Sequence, residues 1–501
     1  MITWGISANS HDAALAVFYH RPWASGSMEL LFASHSERFS GVKNDAHLNK
    51  ELIDYAKQWG EPDEVIWYER PLVKSLRQFR AGQGIRLQEN NIVNYLGSYG
   101  IHAPIKYTDH HLAHAAAGYY TSGFDEASVL VIDSIGEFDT LTVWHGKEGQ
   151  LKKTYAQKYP HSLGLWYSAL TQRIGLKPQE DEYILMGMAA YGNADRLFND
   201  ILNDFFDLPD DNSLFQIFNE KPSVKLKHNL HKGCRWWRPD LTTEQDYFDI
   251  AAATQAVYQY ILKRISNWVR WKSPTGNLVF MGGCALNCSA NGILTSDWDN
   301  VHIMANPGDA GSSIGAVLAH KKQHISMPHM YTGYNIEGEY PVEQALQELL
   351  TTGIVGVANG RAEFGPRAFG HRSLLADPRG TDIKDRVNEI KRRQKFRPFA
   401  PAVLAEHAGA YFDGPTGPFM QYTSTCKDPG LPAIIHGDGT SRVQTVSADQ
   451  SPGFRKLLER WYEETGCPIL LNTSLNIKGK PIVNTVEDAR AFEQHYGVKV
   501  Y

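Results

Sequence analysis

Three short apolar-rich runs open the chain, Met1–Ser7, Ala13–Tyr19 and Met28–Ser34, each bounded by polar residues. Runs of that length between turn residues predict strands, and their close spacing predicts a β-meander. The turn after the first run, Asn9-Ser10-His11-Asp12, holds a histidine and an aspartate. A helix over Asp45–Trp59 and a strand over Glu64–Tyr68 are expected next. The pattern then recurs at Ser128–Asp133, Thr140–His145 and Leu151–Tyr155, with Ser134-Ile135-Gly136-Glu137 as the first turn. A long helix, Phe248–Trp271, leads into residues 277–316. There a buried strand, Leu278–Met281, meets the turn Gly282-Gly283 and a helix start carrying Asn287 and Asn291. A second strand, Val301–Ala305, meets Asn306-Pro307-Gly308-Asp309 and a second helix start, Gly311–Ala316.

Two meanders, each followed by helical segments, predict an internal duplication without sequence identity. That is the organisation of the actin-like, sugar-kinase-like ATPase fold, an α/β class. Periodicity is lost from Lys321 to Tyr340, which predicts domains at 1–325 and 326–501. The second domain alternates helix and strand: Pro341–Thr351, Gly353–Ala358 and Asp382–Lys391.

Composition narrows the function classes. A net charge of −5, from 50 basic and 55 acidic residues, argues against a nucleic-acid partner but not against a nucleotide as a small molecule. The five cysteines (Cys234, Cys284, Cys288, Cys426, Cys467) are sparse and odd in number, which predicts free thiols in a reducing compartment. With neither a basic leader nor a membrane-length apolar run, the expectation is a cytoplasmic protein with no membrane partner.

Candidate chemistry falls in three places. His110 and His114, four apart where Ala113–Gly118 favours helix, share one face, whereas His111 points elsewhere. Asp133 and Asp309 end strands, so two His and two Asp can converge as a set for Fe, Mn or Zn. The glycine turns suit close backbone approach and phosphate at helix N-termini. In the second domain Arg361, Arg367, Arg372 and Arg379 sit among Phe364, Pro366, Phe369, Phe396 and Phe399, which read as buried. Buried arginines near small polar donors suit a multi-phosphate anion. The aromatic cluster Arg235-Trp236-Trp237-Arg238 is a candidate acceptor-facing loop. Gly187 to Gly192 reads as a buried turn.

The motifs SHDAALAVF, SERFSGVK, DHHLAHAAA, DSIGE, MGMAAYG, GGCALNCSANG, NPGDAGSSIGA, EFGPRAFGHRSLLADPR, KFRPFAPAVL, RVQTV and LLNTSLNIKGKPIV run nearly end to end. In them the chain resembles the nodulation-type O-carbamoyltransferases. The resemblance implies an N-terminal domain like the metal-dependent transferase of tRNA threonylcarbamoyl-adenosine synthesis, and a C-terminal YrdC-like domain. It implies that carbamoyl phosphate and ATP, with Mg, give a carbamoyl-adenylate, and that an acceptor hydroxyl then takes the carbamoyl group. By motif, Arg367, Lys391, Arg397, Arg442, Asn472 and Ser474 would hold carbamoyl phosphate and the ATP phosphates. His110, His114, Asp133 and Asp309 would bind the metal, His11 and Lys43 would lie at the transfer site, and Gly136, Gly282, Gly283 and Asn287 would contact the nucleotide. Ser134, Ile184 and Leu475 depart from the family pattern, where glycine, lysine and phenylalanine are usual. The acceptor is a hydroxylated small molecule or nucleotide that the sequence does not select, and the oligomeric state is equally unread. The alternatives are a threonylcarbamoyl transferase, which would depend on threonine and bicarbonate, and a nucleotide binder without turnover.

Overall fold

The computed structural model describes residues 1–21, 27–84, 86–208, 224–394, 397 and 399–501. It is a mixed α/β fold with several sheets. Packing divides the chain differently from the linear expectation of 1–325 and 326–501. Met1–Val65 and Ser326–Tyr501 form one compact unit, and Ile66–Ile325 forms the other. These are called here the composite and the central unit.

The composite unit begins with an antiparallel meander, β1 (Ile2–Ser7), β2 (Ala14–His20) and β3 (Met28–His35). The helix expected over Asp45–Trp59 is shorter, because Asn49 caps it and starts it at Lys50. The division between units falls inside β4 (Glu64–Trp67).

The central unit holds β5 (Ile105–Tyr107), α1 (His110–Thr121) and a second meander, β6 (Glu126–Gly136), β7 (Asp139–Lys147) and β8 (Gln150–Lys158). α2 (Leu163–Arg173) and the long α3 (Glu244–Lys272) follow, the latter started by a capping box at Thr243 and Asp246. β9 (Asn277–Met281) pairs in parallel with β6, and β10 (Asn300–His302) pairs in parallel with β9. α4 (Ser312–Lys321) closes the unit against α1, where Gly315 lies flat on the Ala113 carbonyl. The helix start expected after Gly283 is instead three short turns, Gly283–Leu286, Cys288–Asn291 and Gly292–Ser296. Asn287 breaks the run by capping Ala290 and pairing both ends of its amide with Gln255. The expected buried turn at Gly187 to Gly192 is only half-buried except for Met188.

From Ser326 the chain returns to the composite unit. β11 (Tyr331–Ile336) pairs with β13 (Gly360–Glu363), and β12 (Ile354–Ala358) heads a five-stranded sheet. With β14 (Arg372–Ala376), β15 (Ala400–Leu404), β19 (Gln444–Val446) and β20 (Ile469–Ser474), its order is β12-β14-β20-β15-β19. β16 (Phe412–Asp413), β17 (Ser424–Cys426) and β18 (Thr440–Ser441) form a small separate sheet. Period-two alternation divides the five strands between two cores. Val355, Val357, Leu375 and Leu470 pack with α5 (Val342–Thr352) and α7 (Pro452–Thr465). Ile354, Leu374, Val403 and Leu471 pack with α6 (Ile383–Ile390) and α8 (Val486–Tyr496).

The first meander joins this unit through specific bonds. Thr332 donates to the Ala33 carbonyl (3.1 Å) and Arg361 to the Leu31 carbonyl (2.5 Å), and in the helix that follows the meander the Tyr55 ring packs tilted against Tyr334 at 4.8 Å. Among the described residues no helix is long and apolar enough to cross a membrane, and the five cysteines are free thiols.

Candidate active site

α1 begins at His110, so His110 and His114 stack one turn apart on one face, as the spacing predicts. The neighbouring His111 turns away and meets Thr142 at 2.9 Å; burial pushes its pKa well below the usual range. Asp133 does not end its strand. It lies within β6 where a register shift between Ile132 and Gly136 interrupts pairing with β7. Asp309 opens the short turn before α4.

His110, His114, Asp133 and Asp309 are all buried, and one ligand atom of each lies within 4.8 Å of all the others. His114 Nε2 is 3.1 Å from His110 Nε2 and 3.2 Å from Asp309 Oδ1. His110 Nε2 is 3.4 Å from Asp133 Oδ2 and 3.3 Å from Asp309 Oδ1. His114 Nδ1 meets the Pro307 carbonyl at 3.1 Å, and a carbonyl only accepts. In neutral His114, Nε2 therefore carries the lone pair and turns it toward a carboxylate oxygen. That arrangement could hold a cation at its centre. Burial alone would lower the His110 pKa, but the Asp309 and Asp133 carboxylates outweigh it and hold the ring well above its usual range. The donor set, two imidazoles with a carbonyl-fixed tautomer and two carboxylates, fits a divalent metal.

The glycines expected to touch a nucleotide shape this centre. Gly282, at φ 93°, donates its N–H to the same Pro307 carbonyl (2.9 Å), and a Cβ there would collide with the Ile132 backbone. Gly283 N–H donates to Asp133 Oδ1 (3.0 Å). Neither N–H is therefore open to a phosphate: that of Gly282 is given to Pro307 and that of Gly283 to Asp133 on β6. Gly136 lies against the His110 and His111 rings, where a Cβ would clash. Gly136→Ala is expected to displace His110 and abolish retention of a divalent metal. Elemental analysis of protein purified from metal-supplemented medium checks this, and full metal content would show that the turn can relax.

Sequence reasoning missed Glu69, whose Oε2 is 4.0 Å from His110 Nδ1 and whose Oε1 takes a buried ion pair from Lys74 at 2.5 Å. No periodic pattern marks it. Ile184 is buried in the short helix Glu182–Met188.

The composite unit assembles a second cluster. Lys391, just past α6 and 5% exposed, donates to the Ser474 carbonyl (2.5 Å), to Ser474 Oγ (3.1 Å) and to Asn476 Oδ1. All three acceptors are neutral. Burial first, then the charges of Arg393 and Arg397, push the Lys391 pKa well below its usual range. On β20, Asn472 donates to the Ala368 carbonyl (3.1 Å) and to Gln444 (2.7 Å), fastening the loop that carries Arg367. Arg442 Nε is buried without a hydrogen-bond partner.

Of the four closely spaced arginines, three are structural. Arg372, fully buried, donates to the carbonyls of Asn484, Asn359, His371 and Tyr334. Arg361 is held by the Leu31 and Thr332 carbonyls, and Arg379 by Asp377. Phe364, Phe369 and Phe399 are buried, Pro366 is exposed, and Phe396 lies outside the described residues. In the aromatic loop Trp237 is core, donating to Asp204 (2.8 Å), and Arg238 pairs with Asp200, so only Trp236 of the pair is exposed. His11, in the composite unit, meets Asp12 at 3.2 Å. Lys43, in the same unit, bears on the Glu37 carboxyl.

A family model described as Carbamoyltransferase N-terminus matches residues 74–318, and one described as Carbamoyltransferase C-terminus matches residues 346–501. An uncharacterised Synechocystis protein is 33% identical, over 97% of this chain and 93% of its own length. Nodulation protein NolO of Bradyrhizobium diazoefficiens is 31% identical over 76% of this chain and 75% of its own. The 3′-hydroxymethylcephem-O-carbamoyltransferase of Amycolatopsis lactamdurans is 25% identical over 97% and 95%.

Proposed function

Since the chain belongs to the carbamoyltransferase family and is a carbamoyltransferase, we propose that it is an ATP-dependent O-carbamoyltransferase working in two half-reactions. The observation that carries this reading is Lys391, a buried cation with only neutral protein acceptors and two arginine charges beside it. Such a cluster is costly to bury without an anion. The anions are carbamoyl phosphate and the phosphates of Mg-ATP. Arg367, Lys391, Arg397 and Arg442 neutralise them, while Asn472 and Ser474 fix the loop and the lysine. Water splits carbamoyl phosphate into carbamate and phosphate. A carbamate oxygen then displaces pyrophosphate from the ATP α-phosphorus, leaving carbamoyl-adenylate. Converging cations stabilise the charge that develops in both displacements.

In the second half-reaction an acceptor hydroxyl attacks the carbamoyl carbon and AMP departs. His110, His114, Asp133 and Asp309 would hold a divalent Fe, Mn or Zn, which would supply Lewis acidity toward the carbamoyl group or the hydroxyl. His11, with Nδ1 3.2 Å from Asp12 Oδ2, is the candidate base for the hydroxyl proton. Lys43 is the candidate to offset the adenylate charge in the composite unit, and Gly136, Gly282, Gly283 and Asn287 are the candidate nucleotide contacts in the central unit. The paired meanders support an actin-like reading of the first domain, with a YrdC-like second domain. The acceptor is a hydroxylated small molecule or nucleotide.

The decisive assay is pyrophosphate release from ATP with and without carbamoyl phosphate, no acceptor added. Release that requires carbamoyl phosphate supports the reading, and release indifferent to it defeats it. A second prediction follows from Lys391. Its proton is lost at lower pH than that of a free lysine, and a bound phosphate restores it. At pH values above that depressed pKa, binding therefore takes up a proton and affinity falls as pH rises. Calorimetry in buffers of different ionisation enthalpy checks this; a heat independent of buffer would contradict it.

A further inference from the structure

One buried charge in the composite unit is used by neither half-reaction. Arg38 lies in the short helix Glu37–Ser40 after β3 and is 4% exposed. Its Nη2 donates to the Gly365 carbonyl at 2.9 Å. Its Nε and Nη1 are buried and have no hydrogen-bond partner. The nearest carboxylate is that of Glu37, with Oε1 3.9 Å from Nε, beyond hydrogen-bond reach. Glu37 gives its other oxygen to the Asn44 N–H at 2.8 Å, and burial pushes its carboxyl pKa up, which weakens the countercharge. Glu363 also acts on Arg38 through its charge; its Oε1 accepts from the N–H groups of Phe369, His371 and Arg372, and its Oε2 is buried without a hydrogen bond to Arg38 or any other group.

A guanidinium carries five N–H groups and cannot discharge by losing a proton. Two of its nitrogens buried without a protein acceptor suit a ligand with several oxygens. The neighbourhood says which kind. Gly365 begins the Gly365-Pro366-Arg367 turn, so Arg38 is bonded to the loop of the anion cluster. On its other side Glu37 feels both Lys43 and Asp12. Arg38 thus stands among residues of both half-reactions.

We propose that Arg38 is a phosphoryl-binding residue, with Nε and Nη1 donating to the phosphate oxygens of a substrate held against the Gly365–Arg367 loop. The shared chemistry is a phosphate monoester or mixed anhydride, from carbamoyl phosphate or from the AMP moiety of the adenylate. This deepens the O-carbamoyltransferase reading and rests on it for the identity of the ligand.

The test uses the full chain. Binding of AMP is measured by calorimetry, and the KM for carbamoyl phosphate by pyrophosphate release, for wild type, Arg38→Gln and Arg38→Lys. Lysine can keep the bond to the Gly365 carbonyl but has no second planar donor, so it separates holding the loop from holding phosphate. Both variants are expected to weaken AMP binding or raise the carbamoyl phosphate KM at least tenfold, with Arg38→Lys melting close to wild type. The parameter that moves identifies the source. Arg38→Lys within twofold of wild type in both would overturn the proposal and leave Arg38 as a loop clamp. Should both variants misfold, wild-type crystals soaked with AMP or tungstate decide: oxyanion density at Arg38 supports the proposal, and density at Arg367 or Lys391 with none at Arg38 overturns it. If wild type releases no pyrophosphate, the catalytic reading fails, while the AMP and tungstate measurements still judge Arg38.

Discussion

His114→Ala is expected to abolish carbamoyl transfer while leaving carbamoyl-phosphate-dependent pyrophosphate release intact. His114 is fully buried in the central unit, fixed through Nδ1 to the Pro307 carbonyl, with Nε2 facing His110 and Asp309. Its loss removes one of the four side chains that converge there. A Lewis-acid contribution of several kcal/mol, at about 1.4 kcal/mol per tenfold, corresponds to a fall in transfer of about a thousandfold. Lys391, Asn472 and Ser474 belong to the other compact unit, so the activating step has no reason to share that fall. The two rates are measured on one preparation, with metal content determined alongside. Equal loss of both steps, in protein that still melts cooperatively, would show that the metal centre serves activation too.

The convergence of His110, His114, Asp133 and Asp309 was legible only in part: helix periodicity aligns His110 with His114, whereas Asp133 lies within β6 at a register shift and not at the strand end the sequence suggested. The meanders were legible because short apolar runs between polar turns have few alternatives. What was not legible depended on partners distant in sequence. The arginine-rich stretch 361–379 reads as one anion site, yet Arg361, Arg372 and Arg379 go to backbone carbonyls and Asp377. Nothing local distinguishes a guanidinium that caps carbonyls from one that meets a ligand. The helix expected after Gly283 failed because Gln255, on α3, captures the Asn287 amide. The packing of residues 1–65 with the C-terminal stretch rests on contacts such as Thr332 to Ala33, far apart along the chain. Glu69 and Arg38 were missed because single charged residues beside a strand usually face solvent.

Lys391→Met should separate stability from activity. In the folded chain Lys391 is a buried cation without a carboxylate among its three hydrogen-bond acceptors, which destabilises the fold. Methionine removes that charge and fills a similar volume. It also strands acceptors on Ser474 and Asn476, each at about 1–3 kcal/mol, but Ser474 Oγ already donates to Asn476 Oδ1 at 2.7 Å and limits the damage. The opposing effects nearly cancel, so the thermal midpoint should move little. Activation has no such cancellation. Removing one partner of a desolvated charge pair costs about 2–5 kcal/mol, or about thirty- to several-thousandfold in carbamoyl-phosphate-dependent pyrophosphate release. The pH dependence of the residual activity carries a second signature. The activity lost as pH rises through the depressed Lys391 pKa in wild type should be absent in the variant, because the titrating group is gone. A variant that melts like wild type and releases pyrophosphate at the wild-type rate would remove Lys391 from the anion site. One that loses activity yet keeps the wild-type pH profile would assign the titration to another group in the cluster.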